Sequence, residues 1–313
     1  MKLFERITII GMGHIGSSVA RALRAKGVAK TIVAADINPA VCETVVTLAL
    51  ADEVFQDLSR SVIGSDCVIL AVPVGAMKGV AETVGPFLKP KAIVSDVGSV
   101  KKAVVEAIVP FLPEGVECVP AHPIAGTEHS GPESGFAELF EGRWCILTPL
   151  PNTSIKAVER MTALWEALGA RIEIMDPAHH DLVLGITSHL PHLIAYTIVG
   201  TADDLGEDLK SEVIKFSASG FRGFTRIAAS DPVMWRDIFL NNKEAVLEIL
   251  QRFTEDLTAM QKAIRRGDGT YLEETFTRTR KIRRDVMGLG PEGTPFPELP
   301  VHLHSSPHPV KKG

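Results

Sequence analysis

A chain of 313 residues is long enough for two domains, or for one domain with a large helical extension. Its 45% apolar content supports a sizeable core, and a net charge of −5 argues against nucleic acid as the main partner. Cys42, Cys67, Cys118 and Cys145 form no C-x-x-C pair and no secreted disulfide pattern, which points to reduced thiols in a cytoplasm.

Taken in chain order, Ile7-Thr8-Ile9-Ile10 is a β-favouring run that enters Gly11-Met12-Gly13-His14-Ile15-Gly16, and Ser17 to Leu23 continues at helical spacing. Strand, tight turn and helix with G-x-G-x-x-G spacing make a pyrophosphate cradle: Gly11 for the turn, Gly13 for close backbone approach, Gly16 for helix–strand packing. The apolar run is broken by glycines and then by Arg21, Arg24 and Lys26, so neither a signal peptide nor a membrane span fits it. Thr31 to Ala35 reads as a second strand, ended by Asp36, whose carboxylate suits ribose hydroxyls and repels a 2′-phosphate. The cofactor expected is therefore NAD, and the cofactor-binding positions are Gly11 to Gly16, Asp36, and Val72-Pro73 where the next strand stops.

Asn38-Pro39 opens a helix reaching Leu50. Asp66 to Pro73 and Ala92 to Val97 are buried strands, the latter followed by Gly98-Ser99 and a helix from Val100. Val116 to Ala121, Trp144 to Thr148 and Arg171 to Met175 are further strands, with a helix over Ser154 to Leu168. This alternation predicts an α/β, Rossmann-type doubly wound parallel sheet over residues 1–175. Beyond Asp176-Pro177 only helix signals appear, giving an all-helical domain over 176–290. His180 to Thr201 is apolar on most sides and must be buried in its domain or against a second subunit. Pro191 should kink it beside His189 and His192. The basic run Arg278, Arg280, Lys281, Arg283 and Arg284 reads as a solvated face. Residues 291–313, with His302, His304 and His308, read as a disordered tail.

Ligands of open α/β sheets bind beyond the carboxyl ends of the strands. His122, after a strand and before Pro123, suits a group that takes a proton from a hydroxyl undergoing oxidation. Ser99 reads first as a helix N-cap, with a hydroxyl also able to hold His122 or a substrate oxygen. Glu128 and His129 read as loop residues, and no ligand spacing for a metal occurs. Arg222 and Arg226 are either an exposed pair or include a guanidinium that grips a substrate carboxylate.

The combination G-M-G-H-I-G, D-V-G-S-V-K, H-P-I-A-G-T-E-H-S-G, S-H-L-P-H and F-T-R-I-A-A-S-D-P-V-M-W-R-D-I resembles the prephenate/arogenate (cyclohexadienyl) dehydrogenases of tyrosine biosynthesis, over about residues 5 to 285. The resemblance implies a nucleotide-binding domain followed by an all-helical dimerisation domain that makes a homodimer. It implies that His122 is the catalytic base, that Ser99 hydrogen-bonds the histidine and the substrate, and that Arg226 binds a substrate carboxylate. Glu128 matches a residue gating the site, His180, Ser188 and His192 match pocket-lining positions, and Trp235 matches an aromatic wall. The implied reaction is NAD-dependent oxidation of a ring hydroxyl with loss of CO2, acting on a small molecule in the cytoplasm, with no nucleic acid or membrane partner. No fused mutase or regulatory domain is expected, so any tyrosine inhibition would act at the active site. Two other readings compete: a β-hydroxyacid dehydrogenase, in which Asn241-Asn242-Lys243 stands in the wrong order, and a non-catalytic NAD-sensing dimer. The residues leave prephenate versus arogenate open, and likewise the roles of His189 and His192.

Overall fold

The computed structural model describes residues 2–126, 129–204 and 219–288. Six strands, β1 (Phe4–Ile10), β2 (Ala29–Ala35), β3 (Glu53–Phe55), β4 (Cys67–Leu70), β5 (Ile93–Asp96) and β6 (Glu117–Cys118), form one parallel sheet in the order β3-β2-β1-β4-β5-β6. Strand order reverses between β1 and β4, which opens a crevice at their carboxyl ends. Alternate residues feed two cores. Ile7, Ile9 and Ile69 pack with Val19, Leu23, Met161 and Trp165 on one face. Ile10, Val68 and Leu70 pack with Met77, Val84, Val104 and Trp235 on the other. Burial on both faces explains why these strands are almost unbroken apolar runs.

A second, three-stranded sheet joins β7 (Ala121–Pro123), β8 (Trp144–Leu147) and β9 (Arg171–Ile174). The sequence predicts one strand over 116–121 and one continuous parallel sheet, and the structure differs on both points. Val119 N–H still bonds to Val94 of β5, whereas the Pro120 carbonyl already accepts from Thr148, beyond β8. Pro120 has no N–H to continue the first ladder, so the chain changes partner there, and β7 runs antiparallel to β8. The short strand β3, whose residues carry weak apolar patterning, was not legible either.

Asn38 caps its helix as expected, its side chain accepting from Ala40 N at 3.0 Å. The helix predicted from Val100 begins at Lys102, with no side-chain cap from Lys101. Ser99 therefore lies outside the helix and is not its cap.

Pro177 to Asp203 is one long helix whose middle, Gly185–His189, is a π turn. Pro191 cannot donate to the Thr187 carbonyl, and the widened turn just before it absorbs that loss. Length and apolarity alone would let this helix cross a membrane. Its buried side, however, carries His180, Asp181 and His189 beside Leu184 and Ala195, while Ile198 and Val199 are exposed.

Residues up to Leu250 make one compact unit, and a second begins at Gln251. The second holds the end of the helix Lys243–Arg266 and the helix Gly269–Gly288. The turn between them is made by Gly267 at φ +68°, and Asp268 caps the following helix by accepting from Tyr271 N. Leu257, Ile264, Phe276 and Ile282 are exposed there, as are Arg278 to Arg284. The tail 291–313, with its three histidines, lies outside the described residues.

Candidate active site

The glycine-rich turn after β1 is built for a close backbone approach. Gly11 has φ +91°, and a Cβ there would lie 2.5 Å from the Ala71 carbonyl oxygen. A Cβ on Gly16 would lie 2.0 Å from the Gly11 carbonyl oxygen, whereas Gly13 faces open space. The first helix starts at His14 with Gly13 as N-cap and no side-chain cap, so its first-turn N–H groups point to that open space. Asp36, just past the end of β2, accepts from Met12 N and Asn38 N, each at 2.9 Å, which fixes the carboxylate beside the glycine turn. Val72 is half-buried and Pro73 exposed just past β4. These features fit a dinucleotide, with pyrophosphate at Gly13 and a ribose at Asp36.

His14 is buried, with Nδ1 3.0 Å from Ser134 Oγ, and burial lowers its pKa. Ile15 is half-buried against the core. The segment Pro132–Phe136 lies on this helix through Arg21 Nη2 to the Pro132 carbonyl and Phe136 N to Ser18 Oγ. No sequence signal pointed to that cover. Gly16→Ala is expected to lose about 1–3 kcal/mol by overpacking against backbone, read by chemical denaturation. Stability equal to the parent would contradict the cradle geometry.

The chemistry gathers beside the carboxyl end of β5. His122, in β7, is buried, and its Nδ1 lies 2.8 Å from His180 Nε2. His180 Nδ1 in turn lies 2.8 Å from Asp181 Oδ1. Asp181 Oδ1 accepts from Lys101 N at 2.7 Å and Oδ2 from Lys102 N at 2.9 Å, so this acid serves the helix start that lacks its own cap. Behind them Lys101 and Asp96 form an ion pair with both side chains fully buried. Lys101 Nζ also donates to the Ala121 carbonyl at 2.7 Å, and Asp96 accepts from Ala121 N and Gly98 N. The residue before His122 is thus held from both its N–H and its carbonyl.

On the other side, Asn242 Nδ2 bridges the Asp181 carbonyl and His189 Nδ1, at 2.8 and 3.0 Å. His189 is fully buried, with the Ser99 backbone against it, and packs edge-on to Trp235. The His192 ring stacks on Trp235 at 3.6 Å, and its Nδ1 donates to the Ser188 carbonyl at 2.8 Å. Arg226 is exposed and lies near enough to His192 to lower its pKa further after burial has done so.

The structure therefore links His122, Ser99, His180, Ser188, His192, Trp235 and Arg226 through one set of contacts. Three placements differ from expectation. His180 has no exposed surface and both ring nitrogens are engaged, so it stands behind His122 rather than lining a pocket. Trp235 is buried under His192, which presents the outer aromatic face. Ser99 makes no side-chain hydrogen bond to His122 among the described residues. Glu128 lies outside the described residues. Asp96, Lys101, Asp181 and Asn242 were missed as site residues, and the role of His189 was left open; for Asp96 and Asp181 the available signal was a polar side chain inside an otherwise apolar segment. Among the described residues no cluster of His, Cys, Asp or Glu could hold a metal.

Burial dominates the electrostatics. The His122 pKa falls well below its ordinary 6.5, first by desolvation and then by the neighbouring His180, Lys101 and His189. His180 is lowered by burial against the pull of Asp181, and His189 is pushed down to about 4 by burial. A histidine with a depressed folded pKa binds fewer protons folded than unfolded, so its burial costs nothing above the unfolded pKa and destabilises progressively below it. Stability is accordingly expected to fall as pH drops from 6.5 towards about 4, the window set by His189. Denaturation midpoints that stay level across that window would contradict buried neutral histidines.

Residues 19–174 match the family model "Prephenate dehydrogenase, nucleotide-binding domain", and residues 176–278 match "Prephenate dehydrogenase, dimerization domain". The chain is 42% identical over 283 residues to a cyclohexadienyl dehydrogenase of Zymomonas mobilis, covering 90% of this chain and 96% of that protein. It is similar to the structure of A. aeolicus prephenate dehydrogenase in complex with hydroxyphenyl propionate and NAD+, with TM-score 0.83 and 35% identity over 90% of this chain and 98% of that one. Synechocystis arogenate dehydrogenase gives TM-score 0.77 and 28% identity over 90% and 99% of the two chains.

Proposed function

The chain belongs to the prephenate/arogenate (cyclohexadienyl) dehydrogenase family, and from that membership we propose how its own residues divide the work. It is an NAD-dependent oxidoreductase of tyrosine biosynthesis. NAD, when bound, supplies the two-electron oxidant for the ring carbon that bears the hydroxyl. Gly11, Gly13, Gly16 and the first-turn N–H groups hold its pyrophosphate, and Asp36 holds a ribose. His122 accepts the proton of the ring hydroxyl. As that carbon becomes carbonyl-like, electrons drawn from the carboxylate across the ring release CO2 and aromatise the product. Arg226 grips a substrate carboxylate beside the His192 face, and Ser99 orients the hydroxyl.

The observation that carries this reading is His122 itself: a buried histidine kept neutral, and so ready to take a proton, beside the carboxyl end of β5. Arg226→Lys keeps the charge and loses the fork. It is expected to raise the KM for the ring substrate about 10- to 100-fold, the equivalent of a charged hydrogen bond worth about 1.5–3 kcal/mol, with a smaller change in kcat. An unchanged KM would remove Arg226 from the substrate.

The protein acts in the cytoplasm as a homodimer formed through the helical residues 176–290, where Ile186, Leu240 and Leu247 are more than half exposed in the single chain. Both prephenate and arogenate are substrates, a breadth supported by the 42% identity to a cyclohexadienyl dehydrogenase. Steady-state rates with each, at saturating NAD, test this. Values of kcat/KM within about tenfold, or about 1.4 kcal/mol, support dual use, and turnover of one alone refutes it.

A further inference from the structure

We propose that His180 and Asp181 are positioning residues that fix His122 in one tautomer, with the proton on Nδ1 and a bare lone pair on Nε2. The inference rests on the reading of His122 as the base and adds which nitrogen does the work and what decides it.

The chain of hydrogen bonds behind His122 ends at Asp181. The Asp181 carboxylate already accepts two backbone N–H groups, from Lys101 and Lys102. A carboxylate has no proton to give, so the 2.8 Å contact to His180 Nδ1 requires the hydrogen on His180. Neutral His180 then has only a lone pair on Nε2. The 2.8 Å contact from there to His122 Nδ1 requires the hydrogen on His122 Nδ1. Neutral His122 is left with Nε2 unprotonated. Each tautomer follows from the one before, and the whole series is anchored by the two backbone N–H groups that Asp181 accepts at the helix start.

Other charged and titratable groups around His122 fit this assignment. Lys101 and Asp96, packed behind Ala121, are paired to each other. His189, from the π turn, is turned towards Asn242. Neither competes for His122 Nδ1, which His180 alone occupies among the described contacts. The arrangement follows the logic of a serine-protease triad, in which a buried acid sets the histidine tautomer without taking its proton.

The test reads the tautomer directly, by 15N NMR of the ring nitrogens in full-length, histidine-labelled protein at pH 8, with His122 assigned by its loss in His122→Asn. The expected wild-type signature is protonated Nδ1 and bare Nε2. In Asp181→Ala the acceptor that holds the proton on His180 Nδ1 is gone, so His180 takes both tautomers and His122 carries its proton on Nε2 in part of the molecules. Its kcat should fall, by up to the roughly 10⁴-fold lost when a protease triad loses the tautomer set by its acid, with KM little altered. In His180→Gln the amide carbonyl can still accept from His122 Nδ1, so the tautomer is kept and most of kcat returns. Because a neutral amide does not charge beside His122, the acid limb of its pH profile should move to higher pH. A structural role alone would move neither tautomer nor pH limb. Protonated Nε2 in the wild type overturns the proposal, as does Asp181→Ala with unchanged tautomer and kcat. Should Asp181→Ala fail to fold, the wild-type spectrum and His180→Gln decide the matter. Because the spectrum needs no substrate, a wild type with the expected tautomer and no turnover would fault the dehydrogenase reading and leave this one standing.

Discussion

His122→Asn is expected to lower kcat about 10²- to 10⁴-fold, the usual worth of a positioned general base, while NAD affinity stays near the parent value. The side chain sits in β7, away from the glycine turn and from Asp36, so cofactor binding should be indifferent to it. Its pH behaviour carries a sign. Desolvation, aided by His180, Lys101 and His189, lowers the His122 pKa well below 6.5. The unprotonated form therefore dominates through neutrality, and kcat/KM should be level from neutral pH downwards until it falls on an acid limb well below 6.5. A limb at or above the ordinary histidine value would mean that His122 is exposed to water or charged in the working enzyme. A variant with parental kcat would remove it from the reaction.

The second large effect is on stability. Lys101→Met is expected to cost about 3–5 kcal/mol in denaturation experiments, because it leaves the Asp96 carboxylate buried without its counter-charge. Both side chains of the pair are fully buried. The double variant Asp96→Asn/Lys101→Met removes both charges and keeps an acceptor for Ala121 N. It should recover part of the loss, a non-additivity that identifies a coupled pair. The single variant should also lower kcat, since Lys101 Nζ holds the Ala121 carbonyl next to His122. A loss below about 1 kcal/mol would show that the pair is not coupled as the structure has it.

The contrast between these residues shows what the sequence could and could not disclose. Ile7 to Gly16 and Asp36 were legible because their geometry is local: the turn, the helix start and the end of the next strand are defined within thirty residues of chain. His122 was legible by its place at the end of the Val116 to Ala121 run, although the structure puts it inside β7 rather than after a strand. Lys101 read as an ordinary residue at a helix start, because only tertiary packing seals it under Ala121 against Asp96. His180 and Asp181 lie on a helix apolar nearly all round, where no periodicity tells which face meets β7. The division of Val116 to Pro123 between two sheets escaped local reading for a related reason. Pro120 ends the first ladder locally, but the new partner is β8, whose first residue, Trp144, lies 24 residues further on.

Turnover decides whether this chain performs the oxidative decarboxylation. Purified protein is mixed with NAD and prephenate, and reduced nicotinamide is followed by absorbance while released CO2 is trapped and counted; the same is done with arogenate. Reduced cofactor and CO2 are expected in equal amounts from the ring substrate, both lost together in His122→Asn. Measurable NAD binding with no turnover of either substrate would contradict the dehydrogenase reading and favour a protein that senses the cofactor without using it.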